Sequence, residues 1–150
     1  MPPTFENEFC RVTIEKLEEI SPSRIQPPFK FGYAYTISIE NISEYVIQIQ
    51  NRKWVVRDGD MKDKIVEGEG VVGEKPILKP GEKFVYQSFH VMLSRFGSAT
   101  GSYFGVFTDA ITTSVFQDES LETDSQPQLE GNPFEVSIPE FLLIHREIPQ

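Results

Sequence analysis

Phe31-Gly32-Tyr33-Ala34-Tyr35-Thr36-Ile37-Ser38-Ile39-Glu40 puts Phe, Tyr and Ile on odd positions and small or polar residues on even ones. In an extended chain successive side chains point to opposite faces, so this alternation predicts a half-buried strand with its bulky residues on one side. Asn41-Ile42-Ser43 supplies turn chemistry immediately after it. Working outward, the same alternation recurs at Cys10, Val12 and Ile14, and at Tyr45, Ile47 and Ile49, then at Trp54 and Val56. It returns at Phe84, Tyr86 and Ser88, from Tyr103 to Phe107 after Thr100-Gly101, and at Ile111, Thr113 and Val115. Phe134, Val136 and Ile138 give a last strand before Pro139. The apolar parity switches from odd to even across Gln50-Asn51-Arg52-Lys53, which one extra residue in a strand, a β-bulge, produces. Asp58-Gly59 is a hairpin signal and Lys79-Pro80-Gly81 a turn. No helical stripe competes, because Ile14, Leu17 and Glu18 could open one but Ile20-Ser21-Pro22 stops it. Short strands with closely spaced turns predict an all-β fold, an antiparallel sandwich or barrel.

The 150 residues suit a single domain, and 39% hydrophobic with 12% aromatic residues is enough for one core. The net charge of −9 is unevenly placed. Met1 to Arg95 carries 13 basic and 14 acidic residues, whereas Phe96 to His145 carries 8 acidic and no Lys or Arg. Asp118, Glu119, Glu122, Asp124 and Glu130 lie in the polar stretch from Gln117 to Asn132. We read one domain over 1–150 with an acidic loop insertion at about 110–131, either a solvated surface loop or an acidic docking arm. The overall acidity argues against a nucleic-acid partner held by bulk positive charge, less firmly so for the nearly neutral residues 1–95. A single cysteine, Cys10, excludes an internal disulfide and a Cys-rich zinc site. Phe141-Leu142-Leu143-Ile144, the longest apolar run, is too short for a membrane span or a signal-peptide core. The expectation is a soluble, cytoplasmic chain with no membrane partner.

Gly68-Glu69-Gly70-Val71-Val72-Gly73 matches the G-x-G-x-x-G pattern of dinucleotide sites. The context differs, since Glu74-Lys75-Pro76 follows where a helix should begin, and His90 to Ser98 holds no ribose-binding acid. One reading is a bulged loop with positive φ at some glycines; the other is a nest of backbone N–H groups that accepts an anion. Residues 52–64 form the chain's basic island, so the candidate anion or ligand site is Gly68, Gly70, Gly73, Arg52 and Lys75, taking a phosphate-containing small ligand. His90 and His145 lack metal-ligand spacing, Asp58 and Asp60 lack a calcium loop, and no serine sits in a G-x-S-x-G elbow. Cys10 reads as a buried, inert thiol in a strand. Trp54, between Arg52 and Arg57, reads as a sandwich-core tryptophan or as a cation–π platform. No catalytic residues, no metal ligands and no cofactor are expected.

These segments also carry a resemblance. Tyr33 to Asn41, Arg52-Lys53-Trp54, Val66 to Pro76, Leu78 to Glu82 and Tyr86-Gln87-Ser88 resemble, in order and spacing, the ApaG family. The closing Pro133-Phe134 to Leu143 is similar to the family's last strand. Two departures stand out: Ala110 to Gly131 is inserted where members turn sharply, and the Gly97–Gly101 turn holds Ala99 where bacterial members have Met. The resemblance implies an immunoglobulin- or fibronectin-III-like β-sandwich with the Gly68–Gly73 loop as a hallmark. It also implies a non-enzymatic module that binds a protein partner not yet identified, with a loose association to cobalt and magnesium resistance. Fold likeness alone leaves the function open.

Overall fold

The computed structural model describes residues 2–109 and 128–145, and all strands below lie within them. Alternation at Cys10, Val12 and Ile14 becomes β2 (Cys10–Glu19), preceded by the short β1 (Thr4–Glu6). A 3-10 turn at Pro22–Arg24 follows, and no α-helix occurs among the described residues. The alternation from Phe31 to Glu40 becomes β3 (Phe31–Asn41); β4 is Val46–Asp58, β5 Lys64–Glu69, β6 Ile77–Leu78 and β7 Lys83–Met92. The chain closes with β8 (Phe96–Thr108) and β9 (Asn132–Ile144).

Two antiparallel sheets form, one in the order β1-β2-β3-β7, the other β5-β4-β8-β9 with β6 also beside β4. Apolar residues on the facing sides, among them Ile37 and Ile39 of β3, Ile47 and Ile49 of β4, and Val136 and Ile138 of β9, make one buried core. Of the sandwich and barrel that the alternation allows, this is the sandwich, of the fibronectin-III-like kind that the family resemblance implies. Trp54 is 2% exposed and packs against Tyr35 at a centroid distance of 5.3 Å, so its ring belongs to the core. Tyr86 and Tyr103 join the two sheets at its centre through their hydroxyl groups.

The parity change in β4 is a bulge, with register against β8 shifting between Ile49 and Asn51. Two sequence readings need correction. The last strand does not stop before Pro139 but runs through it, because the register of β8 against β9 shifts between Ala99 and Gly101, opposite Phe141 and Ile138. Proline lacks an N–H and fits a strand where a bulge interrupts the ladder. Gly97 to Gly101 is likewise strand rather than turn. A Cβ at Gly97 would lie 1.9 Å from the Arg57 carbonyl oxygen, and one at Gly101 2.0 Å from that of Lys53, so these glycines admit the β4 backbone. The expected extension through Ile111, Thr113 and Val115, and nearly all of the acidic insertion, lie outside the described residues.

Buried amides anchor the loops. Asn41, fully buried, donates from Nδ2 to the Tyr45 and Leu78 carbonyls at 2.8 and 2.9 Å. Gln48 Oε1 accepts from the Leu129 N–H at 2.7 Å, and Gln50 Nε2 donates to the Leu129 carbonyl at 3.2 Å. This pins the chain to β4 just before β9 begins.

Candidate functional site

The five candidate residues do come together, around the turn that follows β5. Gly70 has φ 65° and its N–H donates to the Gln50 carbonyl at 2.7 Å. Val71 and Glu74 exchange N–H···O bonds of 2.7 and 3.0 Å across Val72 (φ 44°) and Gly73 (φ 81°). Two positive φ values in a two-residue connection make this a type I′-like turn. The chain then enters β6, so no helix follows the glycine motif. Arg52 reaches the same loop from β4: its Nη1 donates to the Glu69 and Gly70 carbonyls at 2.8 and 3.0 Å. A Cβ at Gly68 would meet that guanidinium at 2.8 Å, so the glycine leaves room for it. Lys75 Nζ lies 3.8 Å from Glu69 and 3.4 Å from Gln128 Oε1. Arg52 Nη1 and the N–H groups of Gly70, Val71 and Glu74 are therefore spent on holding the loop together. Beside them, a groove of about 590 Å³ is lined by Arg52, Lys53, Glu67, Gly68 and Phe104.

A second region was not singled out by sequence reading. In the order of its sheet β7 is terminal, and among the described residues it pairs with β3 alone. Its inward residues, such as Tyr86 and Met92, are buried, but Val85 and Phe89 face out, 53% and 60% exposed. The strand reads Phe84-Val85-Tyr86-Gln87-Ser88-Phe89-His90-Val91, apolar on both parities, and the alternation at Phe84, Tyr86 and Ser88 covers only the even set. The odd set was the available signal. At its far end Phe89 and Val91 border a pocket of about 450 Å³ with Ile20, Ile25 and Phe29. Arg24 sits on the same rim, and Lys64 lies 5.3 Å above the Phe29 ring.

The titratable groups inside the sandwich are neutral at physiological pH. Burial pushes the Cys10 thiol up to about 12, which removes thiolate reactivity. Burial lowers His90 to about 4, with Lys64 adding repulsion. Tyr103 and Tyr86 are raised by burial, so both remain protonated. Among the described residues no three His, Cys, Asp or Glu side chains converge as metal ligands. No helix among them is long and apolar enough to cross a membrane.

Comparison with known proteins agrees with this architecture. The crystal structure of a Bordetella pertussis protein named ApaA superposes with a TM-score of 0.68 at 29% identity, covering 95% of this chain and 100% of that one. An X-ray structure of a structural-genomics target gives 0.71 at 28% identity, over 97% and 95% of the two chains. Protein ApaG of Dechloromonas aromatica is 32% identical over 134 residues, 89% of each chain. Protein ApaG of Pseudomonas aeruginosa is 43% identical over 82 residues; that match spans 55% of this chain and 65% of the relative. The family profile described as the ApaG domain matches residues 23–106, the stretch from the 3-10 turn through β8 that holds the glycine loop, Arg52 and β7. With more than half of the chain matched, and a relative similar along nearly its whole length, the chain belongs to the ApaG domain family.

Proposed function

We propose that the chain is a non-enzymatic, cytoplasmic protein-binding module that takes an extended segment of its partner along β7. The observation that carries this reading is the pair Val85 and Phe89, more than half exposed on a strand that is terminal in its sheet. An unpaired strand edge offers N–H and C=O groups to an added strand, while outward apolar side chains and a neighbouring pocket select its side chains. The pocket beside Phe29 takes an apolar anchor, and Arg24 on its rim and Lys64 over the Phe29 ring favour acidic residues flanking that anchor. A role in cobalt and magnesium homeostasis, where the family resemblance points, runs through such a partner in this reading. The test is selection from a displayed random-peptide library with the immobilised chain. Peptides that alternate apolar and polar residues, and lose binding to Phe89→Lys and Val85→Lys but not to Leu142→Lys, support it. Leu142 is equally exposed, at 60%, on the other sheet. No enrichment, or binding indifferent to Phe89, rejects it.

A second reading places pyrophosphate or a nucleotide at Gly68–Gly73 with help from Arg52 and Lys75. The groove beside Arg52 and Lys53 favours it, and the internal bonds of Arg52 Nη1 and the Gly70 N–H weigh against it. A phosphate titration followed by amide shifts at Gly68, Gly70 and Gly73 decides; unmoved amides end the idea.

A further inference from the structure

A cleft of about 260 Å³ opens between β7 and β5, and Phe89 and Val91 border it as they border the pocket beside Phe29. Its walls are aromatic and aliphatic: Tyr35 of β3, Trp54 of β4 and Val66 of β5. His90 of β7 lines it from the other side, its ring 4.9 Å from Tyr35 and 4.7 Å from Trp54, edge-on. Two cations, Lys64 and Arg52, also line it.

One atom makes this cleft more than a packing defect. His90 Nε2 is buried and has no hydrogen-bond partner among the described residues. Buried polar atoms are nearly always paired, so an unpaired one on the wall of a cleft marks a place for a partner from outside. The rim gives the charge of that partner. Of its two cations, Arg52 donates from Nη1 to the Glu69 and Gly70 carbonyls. Lys64 forms no ion pair among the described residues, its ammonium lying over the Phe29 ring. The size gives its shape, since 260 Å³ falls below the roughly 300–1,000 Å³ of drug-sized sites and suits one substituted ring rather than a nucleotide.

We propose that this cleft binds a small aromatic acid, its ring against Trp54 and Val66, its carboxylate at Lys64 and a polar ring substituent hydrogen-bonded to His90 Nε2. The cleft also touches Phe89 and Val91, which border the pocket beside Phe29, and Lys64 lies near both, so the small ligand and a partner strand are assayed apart. The probe is 4-hydroxybenzoate, titrated into the isotope-labelled chain with no peptide present. Saturable amide shifts confined to residues 64–66 and 88–91, with a change at the His90 ring nitrogens, are expected at a dissociation constant below about 1 mM. Lys64→Ala, His90→Phe and the use of benzoate, which lacks the hydroxyl, should each weaken binding about tenfold. Lys64 is exposed, so its variant keeps the test decisive if His90→Phe does not fold. No saturable shift up to about 10 mM, or affinity that Lys64→Ala and benzoate leave unchanged, overturns the proposal. Peptide selection on β7 is read separately, so failure of either result is distinguishable from failure of the other.

Discussion

Acidification should destabilise the sandwich through His90 in a way that one substitution removes. The imidazole sits between Tyr35 and Trp54 with its Nε2 buried, and burial lowers it to about 4. In the unfolded chain an imidazole titrates near 6.5. Between those values the unfolded state binds the extra proton, so the unfolding free energy falls as pH drops from about 6.5 and levels off below about 4. At about 1.4 kcal/mol per tenfold change in proton affinity, the full window amounts to about 3 kcal/mol. Carboxylates also titrate at the acid end, so the informative quantity is the difference between the wild-type chain and His90→Phe. Urea unfolding at pH 4.0 to 7.5, as a matched series for both chains, measures it. The gap should shift by about 3 kcal/mol in favour of His90→Phe between pH 7 and pH 4. NMR of the His90 ring should show no protonation through pH 6.5. Parallel pH profiles for the two chains, or a His90 resonance that titrates near 6.5, would show that burial does not hold the imidazole neutral.

Two further predictions concern the backbone. Val72 is β-branched yet has φ 44°, next to Gly73 in the tight turn, so Val72→Asn should stabilise the chain by about 1 kcal/mol in thermal or urea unfolding. A loss of stability would show that the Val72 side chain contributes more than its backbone costs. Gly101→Ala places a Cβ 2.0 Å from the Lys53 carbonyl oxygen in the middle of the β4–β8 ladder. A loss of about 3 kcal/mol or more is expected, and a variant with wild-type stability contradicts the close approach.

Strand identity was legible because each strand with one buried face writes that face into its sequence, as β3 does most clearly. The β4 bulge was legible for the same reason, since an inserted residue inverts the parity that follows it. Pro139 and the β8 glycines misled, because local propensity reads them as stops and turns. Their place in strands depends on a bulge and on a neighbouring carbonyl, which are pairings distant in sequence. The glycine loop, Arg52 and Lys75 were brought together as expected. What sequence did not disclose was where their polar groups point: Arg52 Nη1 into its own loop, and the Gly70 N–H to Gln50. The β7 surface was missed because Val85 and Phe89 look like core residues until the topology shows β7 at a sheet end. In sequence His90 shows only a lack of metal-ligand spacing, and it is the fold that sets Trp54 and Tyr35 around it.

Residue-resolved hydrogen exchange along β7, with and without a peptide selected by the chain, tests the docking account most directly. Alternate amides of Lys83–Met92, those pointing away from β3, should exchange freely in the chain alone. With peptide bound they should slow by about 100-fold or more, as an added strand takes up their hydrogens. Exchange along β7 that the peptide leaves unchanged, while amides on the β9 side or in the glycine loop become protected, would contradict it.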